Sequence, residues 1–292
     1  MPHKARARFG LALMLFASLI DSTSGLFTRL IHADNFTTVA GRGFVATAVL
    51  LLILVISDPR GGIQRVFHIG WPGLAFAFTN AIGMILTILS MRHTAVANFF
   101  MIFATAPFVA GVLGWLILRE RLDGATALAA IAGFIGITVM MWSGATSGGL
   151  LGDVFALCCT FTYSIIVLIV RGARKFDLVP VLVVTTFLSG LLVLPWADFA
   201  SVTPADGFML FLFGTIQIAF GNICIFAAVA RISPAQSGLL GVFNAAFAPV
   251  WVLVFLGEVP PTATLIGGAI VLGSAIAHLS YSLARPVAVP AN

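Results

Sequence analysis

The sequence predicts an all-α polytopic membrane protein: ten transmembrane helices forming two inverted five-helix repeats. Three observations carry that expectation. Of 292 residues, 60% are hydrophobic and 9% are charged, and the charge collects between long apolar runs. Too little polar surface exists to cover a soluble core. The basic residues fall almost entirely on one side of the implied membrane. The two halves of the chain also repeat one another weakly.

The apolar runs place spans at about 9–31, 36–57, 70–91, 95–118, 124–142, 152–170, 178–196, 208–229, 235–256 and 263–284. Each is long enough to cross a hydrocarbon core of ~30 Å at ~1.5 Å per residue. The runs are apolar on all faces and lack the period-2 alternation of an outer-membrane barrel. Pro107 and Pro249 lie inside spans, where neighbouring helices can satisfy the backbone they free. The basic then apolar start resembles a signal peptide, but the run through Ser18 and Asp21 to Phe27 is too long for one and is kept as the first span.

With the N-terminus inside, twelve of the 15 basic residues face the cytoplasm, and Arg29, Arg42 and Arg92 do not. This is a strong positive-inside bias. It puts both termini in the cytoplasm, and a bacterial inner membrane is the expected location. The net charge of +5 reflects that topology and gives no reason to invoke nucleic acid. Cys158, Cys159 and Cys224 fall within spans and offer neither a disulfide framework nor a metal motif.

An offset of 142 puts Gly10 on Gly152, Ser22 on Ser164 and Arg29 on Arg171. After a shorter loop the offset is 138, which puts Thr79 on Gln217, Gly83 on Gly221, Ala97 on Ala235 and Glu120 on Glu258. The repeats are expected over 9–142 and 152–284. Five spans per half is an odd number, so the second half enters from the opposite side. Inverted repeats suit alternating access around a midplane site.

Two five-helix halves, Arg42 in the second span, Pro107 followed by Trp115–Arg121 (WLILRER), and the FLGE at Phe255–Glu258 resemble the drug/metabolite transporter superfamily with tandem EamA domains. Within it, the length and aromatic content look most like the YddG type of aromatic and neutral amino-acid exporter. The second half departs from the pattern: Pro249 is nine residues before Glu258, Pro107 thirteen before Glu120, and Val184 stands where the first half has Arg42.

Polar groups inside a bilayer are costly and normally face the bundle interior. Asp21 is read as the only acid deep within a span, a candidate to carry a coupling proton or meet a substrate amine. Arg42 is expected to snorkel outward or pair structurally, with a substrate carboxylate as the functional reading. The candidate substrate-binding set is Asp21, Thr79, Asn80, Asn98, Met101, Tyr163, Gln217, Asn222 and Asn244. Asn98, Met101 and Thr105 share one face of the fourth span. Tyr163 is the repeat mate of Asp21. The bland reading of each is interhelical hydrogen bonding or packing. Glu120 and Glu258 are read as helix-end or gate residues.

No HExxH, GxSxG or acidic metal cluster is present, so no enzyme, metal or cofactor is expected. The only lysines, Lys4 and Lys175, lie outside any Gly-rich phosphate loop, which argues against an ATP-driven pump. The expectation is a secondary-active or facilitative transporter exporting small metabolites, aromatic or neutral amino acids first. The alternatives are a drug, toxicant or nucleotide-precursor carrier of the same fold, then a channel-like pore. The expected partners are a small-molecule substrate and the lipid bilayer, and the chain is expected to act as a monomer.

Overall fold

A computed structural model of the chain describes residues 3–119, 124–172, 177–229, 231 and 239–284. The described residues are helical throughout the apolar runs. The first span is α1 (His3–Ser22) continued by α2 (Ser24–Leu30), with a break at Thr23. The second and third are α3 (Asn35–Ser57) and α5 (Gly70–His93), joined through the short α4 (Gly62–Phe67). The fourth is α6 (Val96–Phe103) and α7 (Ala106–Leu118), broken at Ala104 and Thr105, and the fifth is α8 (Gly124–Ser147).

The second half repeats this plan. The sixth and seventh spans are α9 (Leu150–Gly172) and α10 (Leu178–Val193). The eighth joins α11 (Pro204–Leu212), a π-helical segment at Phe213–Phe220 and α12 (Gly221–Val229). The last two are α13 (Leu239–Leu256) and α14 (Thr262–Ala284). Among the described residues, nine helical runs are long and apolar enough to cross a membrane, and a tenth apolar helix, Val242–Leu256, is shorter.

Helix pairing follows the exchange of one half for the other. The third span packs on the sixth (α5 with α9), and the eighth packs on the first (α12 with α1). The sixth meets the fourth (α9 with α6 and α7), and the first meets the ninth (α1 with α13). The second crosses the seventh, the fifth crosses the tenth and the fourth crosses the ninth, and each of these three pairs maps onto itself. The self-paired crossings are close. At the α3–α10 crossing, Thr47 Oγ1 and Thr186 Oγ1 are 2.8 Å apart. At the α8–α14 crossing, a Cβ on Gly136 would stand 2.6 Å from the Gly267 carbonyl oxygen. Small residues at membrane crossings let backbones approach in this way.

The ends of α7 and α13 carry the repeat down to single dihedrals. Gly257 has φ +68° and its N–H reaches the Leu253 carbonyl at 3.0 Å, while the Glu258 N–H turns back to Val252 O at 3.2 Å. The first of these bonds is that of the αL capping motif, in which a glycine just past the helix takes the left-handed conformation and its N–H closes on the carbonyl four residues back. Arg119, 138 residues earlier, ends α7 with φ +55° and is the only described non-glycine residue with positive φ. Each left-handed residue immediately precedes a repeat-related glutamate, Glu120 or Glu258. Glu120 itself lies outside the described residues.

Candidate substrate cavity and end clamp

A cavity of about 160 Å³ lies between the halves. It sits where spans depart from regular helix: beside the α1–α2 break, the π segment and the α6–α7 break. Discontinuous helices around a central site are characteristic of transporters built from repeats, and π segments occur often at functional sites. Two stripes at helical spacing form much of the wall. Asn80, Gly83, Met84 and Thr87 come from α5, and Cys159, Thr162, Tyr163 and Ile166 from α9. Positions i, i+3, i+4 and i+7 share one helix face, so both helices turn a mixed polar and small face inward.

Asp21 stands on the wall just before the α1–α2 break. Its carboxylate is held by two amides. Gln217 Nε2 donates to one oxygen at 2.8 Å, and Asn244 Nδ2 donates to the other at 2.6 Å. Gln217 Oε1 and Asn244 Oδ1 are buried without a hydrogen-bond partner among the described residues. Asn222 lines the same wall, with Nδ2 donating to Ile218 O at 2.8 Å.

Arg42 also lines the cavity and is 3% exposed, so of the two structural readings, snorkelling outward or pairing inside the bundle, its contacts fit the second. Its Nη2 donates to Met84 O at 2.7 Å, and the guanidinium carbon lies 4.7 Å from the Phe213 ring centre. Its Nε is buried without a partner among the described residues. The aromatic part of the wall is a cluster. Phe99 stacks on Phe103 at 5.7 Å and meets Phe100 edge-on at 5.2 Å, and Phe103 meets Tyr163 edge-on at 5.1 Å.

Of the residues singled out in the sequence, Asp21, Asn80, Tyr163, Gln217 and Asn222 come together on this wall. Asn244 supports Asp21 from behind without lining the cavity. Thr79 is half-buried on α5 and is not a lining residue. Asn98 and Met101 belong elsewhere. They do share a helix face, but that face turns to α14, and the cavity receives the neighbouring Phe99, Phe100 and Phe103. Asn98 accepts from Thr264 Oγ1 and donates to Asp153 Oδ1 at 3.1 Å, while Met101 packs against Gly268.

Asp153 is another buried acid, in the first turn of α9 near a span end and so not deep within a span as Asp21 is. It is 0% exposed, its Oδ1 also accepts from Thr94 Oγ1 at 2.7 Å, and its Oδ2 has no partner among the described residues. The sequence reading missed Thr87 and Thr162, although the stripe spacing with Asn80 and Tyr163 points to both.

At the end of the bundle that carries Arg29, the two halves are clamped together. Arg29 Nε and Nη2 donate to the two Glu258 carboxylate oxygens at 2.9 and 3.2 Å, and Nη2 also reaches Thr94 O at 3.0 Å. Glu258 Oε1 accepts from Val96 N at 3.1 Å, at the start of α6. The clamp therefore ties α2, the 94–96 turn and the end of α13. Thr94 carries it on to the Asp153 cluster through its own hydroxyl. At the opposite end, Arg65 pairs with Asp177 at 2.5 Å and approaches Asp58 at 3.8 Å.

Comparison with known proteins matches the architecture. The model of the EamA-like transporter family matches residues 8–142 and again residues 150–279. A Clostridium kluyveri protein called an uncharacterized transporter is 23% identical over 265 residues, covering 85% of each chain. A protein of known crystal structure superposes with a TM-score of 0.66 at 20% identity, over 95% of this chain and 99% of that one. At that identity the superposition speaks for the fold alone.

Proposed function

The chain belongs to the EamA-like transporter family, a membrane-transporter family of the drug/metabolite type, and from that premise we propose that it exports aromatic or neutral amino acids. The single observation that supports this substrate class is the composition of one cavity wall. A carboxylate, a guanidinium and an aromatic cluster line the same space. Asp21 suits an ammonium, Arg42 suits a carboxylate, and the Phe99–Phe103–Tyr163 cluster suits an apolar or aromatic side chain. A lipophilic cation would gain from Asp21 and the rings but would be opposed by Arg42.

The mechanism in this reading is alternating access. The Arg29–Glu258 clamp closes one end while the cavity is reached from the other. The basic-residue bias assigns the Arg29 end to the outside and both termini to the cytoplasm of an inner membrane. Transport reverses the closure by exchanging the conformations of the two halves.

The test is counterflow in nucleotide-free proteoliposomes, using labelled phenylalanine and a panel of unlabelled amino acids. Saturable exchange, competed best by aromatic and neutral amino acids, is expected. A strict requirement for added ATP, or exchange confined to organic cations or nucleotides, would contradict the reading.

A further inference from the structure

Among the described residues, Asp21 is the one acid on the cavity wall, and the one arginine there is turned away from it. Arg42 is committed to Met84 O and the Phe213 face, and no ion pair joins it to Asp21 among the described residues. A guanidinium can only donate, and a bidentate pair would fix the carboxylate in its ionised form. The carboxylate is held instead by two primary amides, Gln217 and Asn244.

An amide carries a donor and an acceptor on one terminal carbon, and a half-turn about its last torsion exchanges them. With Asp21 ionised, both amides present N–H, as observed, and their oxygens are left buried without partners among the described residues. With Asp21 protonated, one amide turns and its oxygen accepts the carboxyl O–H. The same three side chains therefore accommodate both forms without moving a helix. The carboxylate also borders the cavity, so a proton and a substrate reach it by one route.

We propose that Asp21 is a proton-exchange site, binding either one proton or the substrate's ammonium group, so that amino-acid movement is exchanged against a proton. The inference rests on the amino-acid reading above for its substrate, but not for the proton. The step balances simply. The Asp21 carboxyl O–H breaks, the proton leaves to water in the cavity, and the carboxylate so formed pairs with the incoming ammonium.

The ionisable groups turned toward this point are few. Arg42 comes from α3 and Tyr163 from α9, beside the buried thiol of Cys159. The π segment and α13 supply only the two amides, and Cys224 on α12 is not among the residues lining the cavity. Arg29 on α2 is held by Glu258.

The test titrates purified full-length protein with L-phenylalanine in weakly buffered detergent solution, with a pH-sensitive dye present. The expected result is release approaching one proton per bound phenylalanine on the acid side. Affinity should fall about tenfold per pH unit there, as competition with one proton requires. Asp21→Asn should bind more weakly and release none. Binding without proton release, or release that persists in Asp21→Asn, would overturn the proposal.

If phenylalanine does not bind, the amino-acid reading fails, and the proton site is read without it by infrared difference titration of the substrate-free protein. A carboxyl band that titrates between about pH 4 and 10 and is absent in Asp21→Asn supports the site, and no such band overturns it. If Asp21→Asn does not fold, Asn244→Leu replaces it. Removing one amide should move the pH midpoint of phenylalanine binding by about one unit, and an unmoved midpoint overturns the proposal.

Discussion

The substrate reading places different demands on Arg42 and on Asn98, although both are polar residues deep in the bundle. A charge-assisted hydrogen bond contributes about 1.5–3 kcal/mol, so Arg42→Gln should weaken amino-acid binding roughly 10–100-fold. It should spare an analogue that keeps the amine and lacks the carboxylate, such as phenethylamine. Equal losses for both ligands in a binding assay would show that Arg42 acts on the fold instead. Asn98 is tied to Asp153 and Thr264 away from the cavity. Asn98→Leu should therefore lower thermal stability in detergent while leaving the substrate preference as in wild type.

The sequence singled out both residues, because a polar side chain inside an apolar run stands out. It could not say which face of α6 turns inward, since the neighbouring helices decide that. At the membrane edge, Asp34 caps α3 through Phe36 N and Thr37 N. Burial works against its charge, but hydrogen bonds from the Thr37 hydroxyl and the Thr37 and Phe36 backbone prevail and hold its carboxyl below the usual carboxylate range. A depressed folded-state value stabilises above the unfolded value of 3.8 and loses that contribution as pH falls through the folded one. Asp34→Ala should accordingly cost about 1 kcal/mol near neutral pH, and the difference from wild type should vanish in strong acid.

At the scale of the helix, the repeat-related turns are the informative elements. The FLGE at the end of α13 looks like a loose motif in the sequence, yet its last two positions each have a structural reason. Gly257 supplies the left-handed residue, and the turn it makes brings Glu258 to Arg29 and to the start of α6. Gly257→Ala should cost about 1 kcal/mol from the backbone alone. It should also slow transport, because Glu258 is displaced. Arg119 holds the corresponding left-handed conformation at a cost that glycine would not carry, so Arg119→Gly should raise the unfolding temperature slightly. A fall in that temperature would argue that the arginine side chain contributes more than its backbone costs. The break near Asp21 and the π segment around Gln217 left no such mark, because irregular helix inside an apolar run has no sequence signature comparable to a glycine turn. The stripes on α5 and α9 are present in the spacing, but threonines are common in apolar helices, so Thr87 and Thr162 stand out less than Asn80 and Tyr163 until the helix faces are known.

For the whole molecule, ten apolar runs and the odd repeat were legible because membrane thickness and charge distribution act on long segments. The pairing of third span with sixth and eighth with first was not, since it depends on which surfaces fit. The inverted arrangement with both termini inside predicts that Ser201→Cys is labelled by an impermeant thiol reagent from outside and Gln64→Cys only from inside. The reverse pattern would overturn the orientation. The central claim is that one cavity opens alternately to the two sides, with Arg29 and Glu258 holding one end shut. Arg29→Cys and Glu258→Cys, combined in a background lacking Cys158, Cys159 and Cys224, allow that end to be bridged by a short thiol crosslinker. Phenylalanine counterflow should stop in the bridged protein and return when a cleavable bridge is broken, while either single cysteine variant treated with the same reagent continues to exchange. Undiminished counterflow with the bridge fully formed would contradict alternating access through this cavity.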